Sequence, residues 1–174
     1  MKTKSSIRIA LTAVFAALYA LGVVFLAPIS FQVFQVRVAD ALLPLAIIFG
    51  WPAILGLSLG AFVANVFGGL GPVDMIGGAL ANFLATLIAW NIVVRKGRRW
   101  VPVGVCAEIL VVTLVVGTYL SYLLEIPLAL SWLGILFGSL VAIGILGSVI
   151  LYTLSRRNVS VLLDSHGLSE NKGR

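Results

Sequence analysis

Long apolar runs, separated by short polar breaks or breaks containing glycine and proline, divide the sequence into six segments. These are residues 9–29, 38–49, 53–67, 73–94, 101–124 and 128–154. A helix needs about 20 apolar residues to cross a hydrocarbon core about 30 Å thick, so the segments 38–49 and 53–67 are short for a span. The pattern predicts an all-α integral membrane protein with six transmembrane helices, of which the second and third are short.

The basic residues predict the orientation of these helices. They cluster before the first segment, at 95–99 and after the last segment. Cytoplasmic loops of membrane proteins carry an excess of Lys and Arg, so both termini are predicted to be cytoplasmic. All twelve Lys and Arg except Arg37 then lie on that side. Residues 1–157 are predicted to form a single transmembrane domain, and residues 158–174 a short polar cytoplasmic tail.

The composition agrees with a membrane protein: 61% of the residues are hydrophobic and 10% are charged, against about 25% charged in soluble domains. The net charge of +6 belongs to the clusters that set topology, so no nucleic-acid partner is expected. Cys106 is the single cysteine, which excludes an intramolecular disulfide, and we expect it to be a small buried apolar side chain.

A few polar residues interrupt the apolar segments or lie at their ends, and an ionisable group at membrane depth costs about 2.5–3.5 kcal/mol on insertion scales. On the predicted topology most of them fall in the outer half of the membrane. They predict a polar pocket for a planar ligand with several hydrogen-bonding edges. The candidate binding residues are Arg37, Asp40, Asn65, Asp74, Asn82 and Glu108. Glu108 lies in the inner half of its segment, where it is paired, protonated or part of the pocket floor.

Structural alternatives exist for each of the outer residues. Arg37 and Asp40 are three residues apart and can neutralise one another on one helical face. Asp74 begins a helix, where a carboxylate can cap exposed backbone amides. Asn65 and Asn82 can form hydrogen bonds between helices. The pocket interpretation is favoured because all five groups converge at one depth.

Two further features indicate surfaces around the pocket. Residues 30–36 alternate polar and apolar side chains, which predicts a short extended lid formed by Phe31, Gln32, Phe34 and Gln35. The first segment carries a stripe of small residues on one helical face, made of Ala10, Ala13, Ala17 and Ala20. Small residues at this spacing let another helix approach closely, so this alanine stripe is either a docking face for a partner or a packing face within the chain.

An enzyme is not expected. The one histidine, His166, lies in the tail, so the membrane segments contain no cysteine and histidine cluster for a metal and no histidine to activate a serine. The glycine-rich residues 68–71 lack the Lys-Ser/Thr of a phosphate-binding loop. No catalytic residue, metal or cofactor is therefore predicted, and any ATP hydrolysis would belong to partner subunits.

Three stretches, VRVADALLPL, LGAFVANVFGGLG and VDMIGGALANFLATL, resemble the motifs of the QueT-type queuosine-precursor transporter family over residues 10–90. Its members are S components, the substrate-binding subunits of energy-coupling factor importers. The resemblance implies a six-helix protein of the prokaryotic plasma membrane that captures a small polar heterocycle, such as a 7-deazaguanine queuosine precursor, from outside. It also implies docking on a transmembrane coupling subunit with two ATPases. By this resemblance Arg37, Asn65 and Asp74 match family positions, and the alanine stripe matches the docking face.

Two positions depart from the family pattern. Asp40 stands where the family usually has Glu, and Gly138-Ser139 stands where Gly-Glu is common. The carboxylate missing at Ser139 and the additional one at Glu108 on the fifth segment are compatible with a rearranged pocket that binds a different ligand. The alternative function is a stand-alone secondary transporter or channel for a small polar solute, which would need no ATPase.

Overall fold

The computed structural model describes residues 2–30 and 36–156, and all regular structure in these ranges is helical. The main helices are α1 (Lys2–Phe25), α2 (Val38–Phe49), α3 (Trp51–Gly68), α4 (Pro72–Lys96), α5 (Val101–Leu123) and α6, which runs through Leu128–Ser139, Leu140–Gly147 and Ser148–Arg156. In the described residues, five helices are long and apolar enough to cross a membrane, and α2 is the shorter one. The predicted all-helical fold with six apolar segments is confirmed.

The second and third helices differ in length more than the sequence predicts. In α2, Val38–Leu45 is a 3₁₀-helix and Ala46–Phe49 a turn of α-helix, which together span about 22 Å at ~2.0 Å and ~1.5 Å per residue. In α3 there are 18 residues, or about 27 Å, so this helix is not short as predicted. It begins earlier than expected because Gly50, at φ 59°, makes the turn and Pro52 suits the first helical turn.

The first helix packs closely on α3 through glycines. A β-carbon at Gly56 would lie 2.6 Å from the Thr12 carbonyl oxygen, and one at Gly60 would lie 2.7 Å from the Ala16 carbonyl oxygen. The face of α1 that packs inside the protein is therefore the one containing Thr12 and Ala16. Tyr19, on the same face, is fully buried.

The alanine stripe lies on a different side of α1. Its residues Ala10, Ala13 and Ala17 are exposed and Ala20 is half-buried. The contacts between α1 and α3 therefore do not depend on the stripe, and its outward face is open to the surroundings.

The last helix is wound as a π-helix over Leu140–Gly147, where it approaches α2. A β-carbon at Gly147 would lie 2.9 Å from Pro44 Cγ, so glycine is needed for this contact. A groove of about 1180 Å³ lies between α5 and the C-terminal half of α6, and Ile47 and Ile48 of α2 also line it. Cys106 is exposed in this groove, so the expectation that it is buried is wrong: the helices around it do not close over its position on α5.

Candidate functional site

Arg37 and Asp40 lie together in the interior at the start of α2. Both are buried, with 7% and 5% of their surfaces exposed. Asp40 Oδ1 accepts a hydrogen bond of 2.5 Å from the hydroxyl of Tyr19 on α1. Arg37 is close enough for its charge to interact with Asp40 and also with Asp74. The charge of Arg37 therefore interacts with carboxylates on two different helices. Neutralisation of Asp40 within α2 does not account for both of these interactions.

Asp74 and Asn65 meet where α3 and α4 join. Asp74 Oδ1 accepts a hydrogen bond of 2.9 Å from the Tyr119 hydroxyl, and Asn65 Nδ2 donates to the Asp74 backbone carbonyl at 2.8 Å. In the described residues Asp74 Oδ2 has no hydrogen-bond partner, so this carboxylate is directed to Tyr119 and not to the backbone amides of its own helix.

Two consecutive glycines on α4 make room for this arrangement. A β-carbon at Gly77 would lie 2.9 Å from the Tyr119 ring, and one at Gly78 would collide with the amide nitrogen of Asn65. The Gly-Gly pair thus lets two polar side chains from α3 and α5 reach the first turns of α4 beside Asp74.

Asn82 lies one helical turn after Gly78 on α4 and is also buried. Its Nδ2 donates a long hydrogen bond of 3.4 Å to the Leu57 carbonyl of α3. The nitrogens of Asn65 and Asn82 therefore do link helices, as the structural alternative proposed. The Oδ1 of Asn65, however, has no partner in the described residues, so interhelical bonding does not use the whole side chain.

A small cavity lies among these groups. Its volume is about 10 Å³, which is about the room for one water molecule. Its polar lining is Arg37, Asp40, Asn82 and Ser139, and its remaining lining residues are Val112, Val116, Ile135 and Gly138. The cavity thus brings together three of the six predicted binding residues, with the Gly138-Ser139 step of α6 as the opposite wall.

Glu108 lies one helical turn before the cavity residue Val112 on α5 and is fully buried. Its charge interacts with that of Asp40. Within the described part of the chain, neither of its carboxyl oxygens has a hydrogen-bond partner. Glu108 therefore lies next to the cavity without lining it, and in the described residues no positive charge is seen to pair with it.

Sequence reasoning missed two tyrosines of this site. Tyr19 lies in the apolar run of α1, where only its hydroxyl, a group that needs a partner when buried, signals a polar role. Tyr119 lies in the apolar run of α5, and its hydroxyl donates a hydrogen bond to Asp74. We call the assembled groups the polar cluster: Tyr19, Arg37, Asp40, Asn65, Asp74, Asn82, Glu108 and Tyr119. The predicted lid residues Phe31, Gln32, Phe34 and Gln35 lie outside the described residues, as do the tail and His166. No group of three or more His, Cys, Asp or Glu that could hold a metal occurs in residues 2–30 and 36–156.

Comparison with known proteins gives a match at the level of the family. The model of the QueT transporter family matches residues 9–156, which include the whole polar cluster. No curated protein and no solved structure matches the chain. Because the family match covers most of the sequence, the chain belongs to the QueT transporter family.

Proposed function

We propose that this protein is the substrate-binding S component of an energy-coupling factor importer and that it binds a 7-deazaguanine queuosine precursor in a pocket open to the outside. The observation that carries the proposal is the polar cluster itself. Five helices, α1 to α5, bring buried hydrogen-bonding groups to one place inside a chain of a transporter family. Buried polar groups are costly unless they find partners, so a cluster of this size is typical of a binding site.

The chemistry of the cluster suits a planar heterocycle. Arg37 supplies N–H donors for a carbonyl group, while Asp40, Asp74 and Glu108 supply carboxylate oxygens for N–H groups. The present cavity of about 10 Å³ is far below the ~300 Å³ or more of an ordinary small-molecule site. Binding of a heterocycle therefore requires the helices around the cavity to move apart.

Partner subunits complete this proposal. In this scheme the chain lies in the prokaryotic plasma membrane with both termini cytoplasmic, and ATP is hydrolysed by two ATPase subunits joined through a transmembrane coupling subunit. The alanine stripe of α1 supports docking, because Ala10, Ala13 and Ala17 are exposed and their small side chains leave the helix backbone accessible.

Calorimetric titration of the detergent-purified protein with a 7-deazaguanine tests ligand binding. Asn65→Ala and Asp74→Ala should each weaken binding about tenfold or more, because a lost buried hydrogen bond costs about 1–3 kcal/mol and about 1.4 kcal/mol is a factor of ten. Thr153→Ala, at an exposed position remote from the cluster, is the control and should bind as the wild type does.

A double substitution separates ligand binding from charge neutralisation. If Arg37 and Asp40 contact the ligand, replacing both with leucine should give a folded protein that binds poorly. A double variant with wild-type affinity and an unchanged melting temperature would remove both residues from the site.

Bulky substitutions test the docking face. Ala13→Trp or Ala17→Trp should abolish co-purification with the coupling subunit and leave ligand binding unchanged, since a large side chain keeps two helices apart. Leu18→Trp is the matched control, because Leu18 is exposed on α1 but lies off the stripe. Loss of ligand binding together with docking would indicate a damaged fold and contradict the docking role.

The energy source separates this proposal from a stand-alone transporter. An S component alone should bind the ligand without concentrating it. Accumulation of ligand against a gradient by this chain alone, in sealed vesicles without ATP or partner subunits, would overturn the S-component proposal and support a secondary transporter.

A further inference from the structure

Several buried side-chain oxygens in the described residues can still accept hydrogen bonds. In the described residues, six buried side-chain oxygens have no hydrogen-bond partner: Ser30 Oγ, Asn65 Oδ1, Asp74 Oδ2, both Oε atoms of Glu108 and Thr113 Oγ1. The amide oxygen and the ionised carboxylate oxygens can only accept hydrogen bonds. Buried groups of this kind are nearly always paired in folded proteins, so a ligand that completes them must present several N–H donors.

Glu108 differs from the other carboxylates of the polar cluster. Asp40 and Asp74 each accept a hydrogen bond from a tyrosine and interact with the charge of Arg37. Glu108 has both oxygens without a partner in the described part of the chain, and the neighbouring charge that acts on it is that of Asp40, of the same sign. The internal contacts that account for the two aspartates therefore do not account for Glu108.

Glu108 adjoins the cavity through Val112, a lining residue one helical turn further along α5. The charge that acts on Glu108 is that of Asp40, which in turn interacts with the charge of Arg37. A ligand that enters at Arg37 and Asp40 and widens the cavity past Val112 would meet the Glu108 carboxylate next. To pair both oxygens of Glu108, the ligand edge that reaches it must present two neighbouring N–H donors.

A 2-aminopyrimidin-4-one ring, the six-membered ring of a 7-deazaguanine, carries two such donors side by side on one edge: a ring N–H and an exocyclic amino group. A carboxylate accepts two parallel N–H bonds from such an edge, in the bidentate manner of charge-assisted pairs. Resting on the proposed 7-deazaguanine ligand, we propose that Glu108 is the specificity-determining residue of the site and reads the ring N–H and the 2-amino group together.

Two ligands that differ only in the amino group test this role: 7-deazaguanine and 7-deazahypoxanthine. Wild-type protein should bind 7-deazaguanine at least about tenfold more tightly, because the analogue leaves one buried oxygen unpaired. Glu108→Gln keeps the volume but turns one acceptor into a donor, so it should weaken 7-deazaguanine binding about tenfold or more. The preference for the amino group should then fall below about threefold.

The control is Glu125→Gln, the same chemical change at an exposed loop residue, which should keep the wild-type preference. Equal binding of both ligands by wild-type protein would overturn the role of Glu108 whether or not the variant folds. An unchanged preference in folded Glu108→Gln, checked by its melting temperature without ligand, would overturn it as well. Failure of wild-type protein to bind either ligand would instead count against the proposed function on which this role depends.

Discussion

Gly78 gives a test of how the site is built, because a single methyl group there acts on Asn65 and on little else. A β-carbon at Gly78 would collide with Asn65 Nδ2, while the next nearest atoms, Asn65 Cγ and the Tyr119 hydroxyl oxygen, lie at 3.5 Å. Gly78→Ala should therefore push the Asn65 amide away from the Asp74 carbonyl, to which it donates at 2.8 Å. We expect ligand affinity to fall about tenfold or more, since Asn65 then no longer holds its place in the site.

The free energy of unfolding should fall by an amount small enough for the protein to remain folded. Loss of the buried hydrogen bond costs about 1–3 kcal/mol, and the extra methyl group can force shifts of similar cost. Replacing glycine by alanine in a helix returns about 1 kcal/mol. The lost hydrogen bond and the steric shift both result from the same displacement of Asn65, so their costs are not added together. The free energy of unfolding should therefore fall by about 0–2 kcal/mol, which leaves a folded protein.

The assay combines calorimetric titration with 7-deazaguanine and thermal unfolding of the same preparation in detergent. Gly144→Ala is the matched control, since a β-carbon there would meet Ile109 Cδ1 at an ordinary 3.4 Å, and its affinity should be unchanged. If Gly78→Ala were to bind with wild-type affinity, the reasoning that Asn65 is positioned for the ligand by the glycine step of α4 would be wrong.

Three further predictions concern topology and packing. With Cys106→Ala as background, a cysteine at Glu125 should react with a membrane-impermeant maleimide added to intact cells, whereas one at Ser5 should not; the reverse pattern would invert the topology. Gly60→Ala should lower the free energy of unfolding by about 1–3 kcal/mol through overpacking, because the new β-carbon would lie 2.7 Å from a backbone oxygen of α1; an unchanged melting temperature would contradict this close contact. Ser131→Ala should cost about 0.6–1.7 kcal/mol, measured by thermal unfolding, because it removes a 2.7 Å hydrogen bond from α6 to α5; no loss would mean that the bond does not stabilise this pair of helices.

The sequence alone determined the class of the protein and the limits of most helices. A bilayer requires apolar segments of a certain length with their backbone hydrogen bonds made internally, so these segments can be recognised without knowing what they pack against. The start of α2 at Val38 and the extent of α5 agree with the sequence to within a residue. The same reasoning singled out Arg37, Asp40 and Glu108, because a charge within or beside an apolar run is visible in one dimension.

Only the tertiary structure decided which polar groups are partners and which faces are free. Tyr19 and Tyr119 belong to the site because α1 and α5 are rotated so that their hydroxyls meet Asp40 and Asp74. The alanine stripe is open because α1 turns its other face to the glycines of α3. Such relations depend on the rotation and close approach of helices that are far apart in the chain. A periodic pattern within one segment fixes which residues share a face, but the packing of the other helices determines what that face contacts.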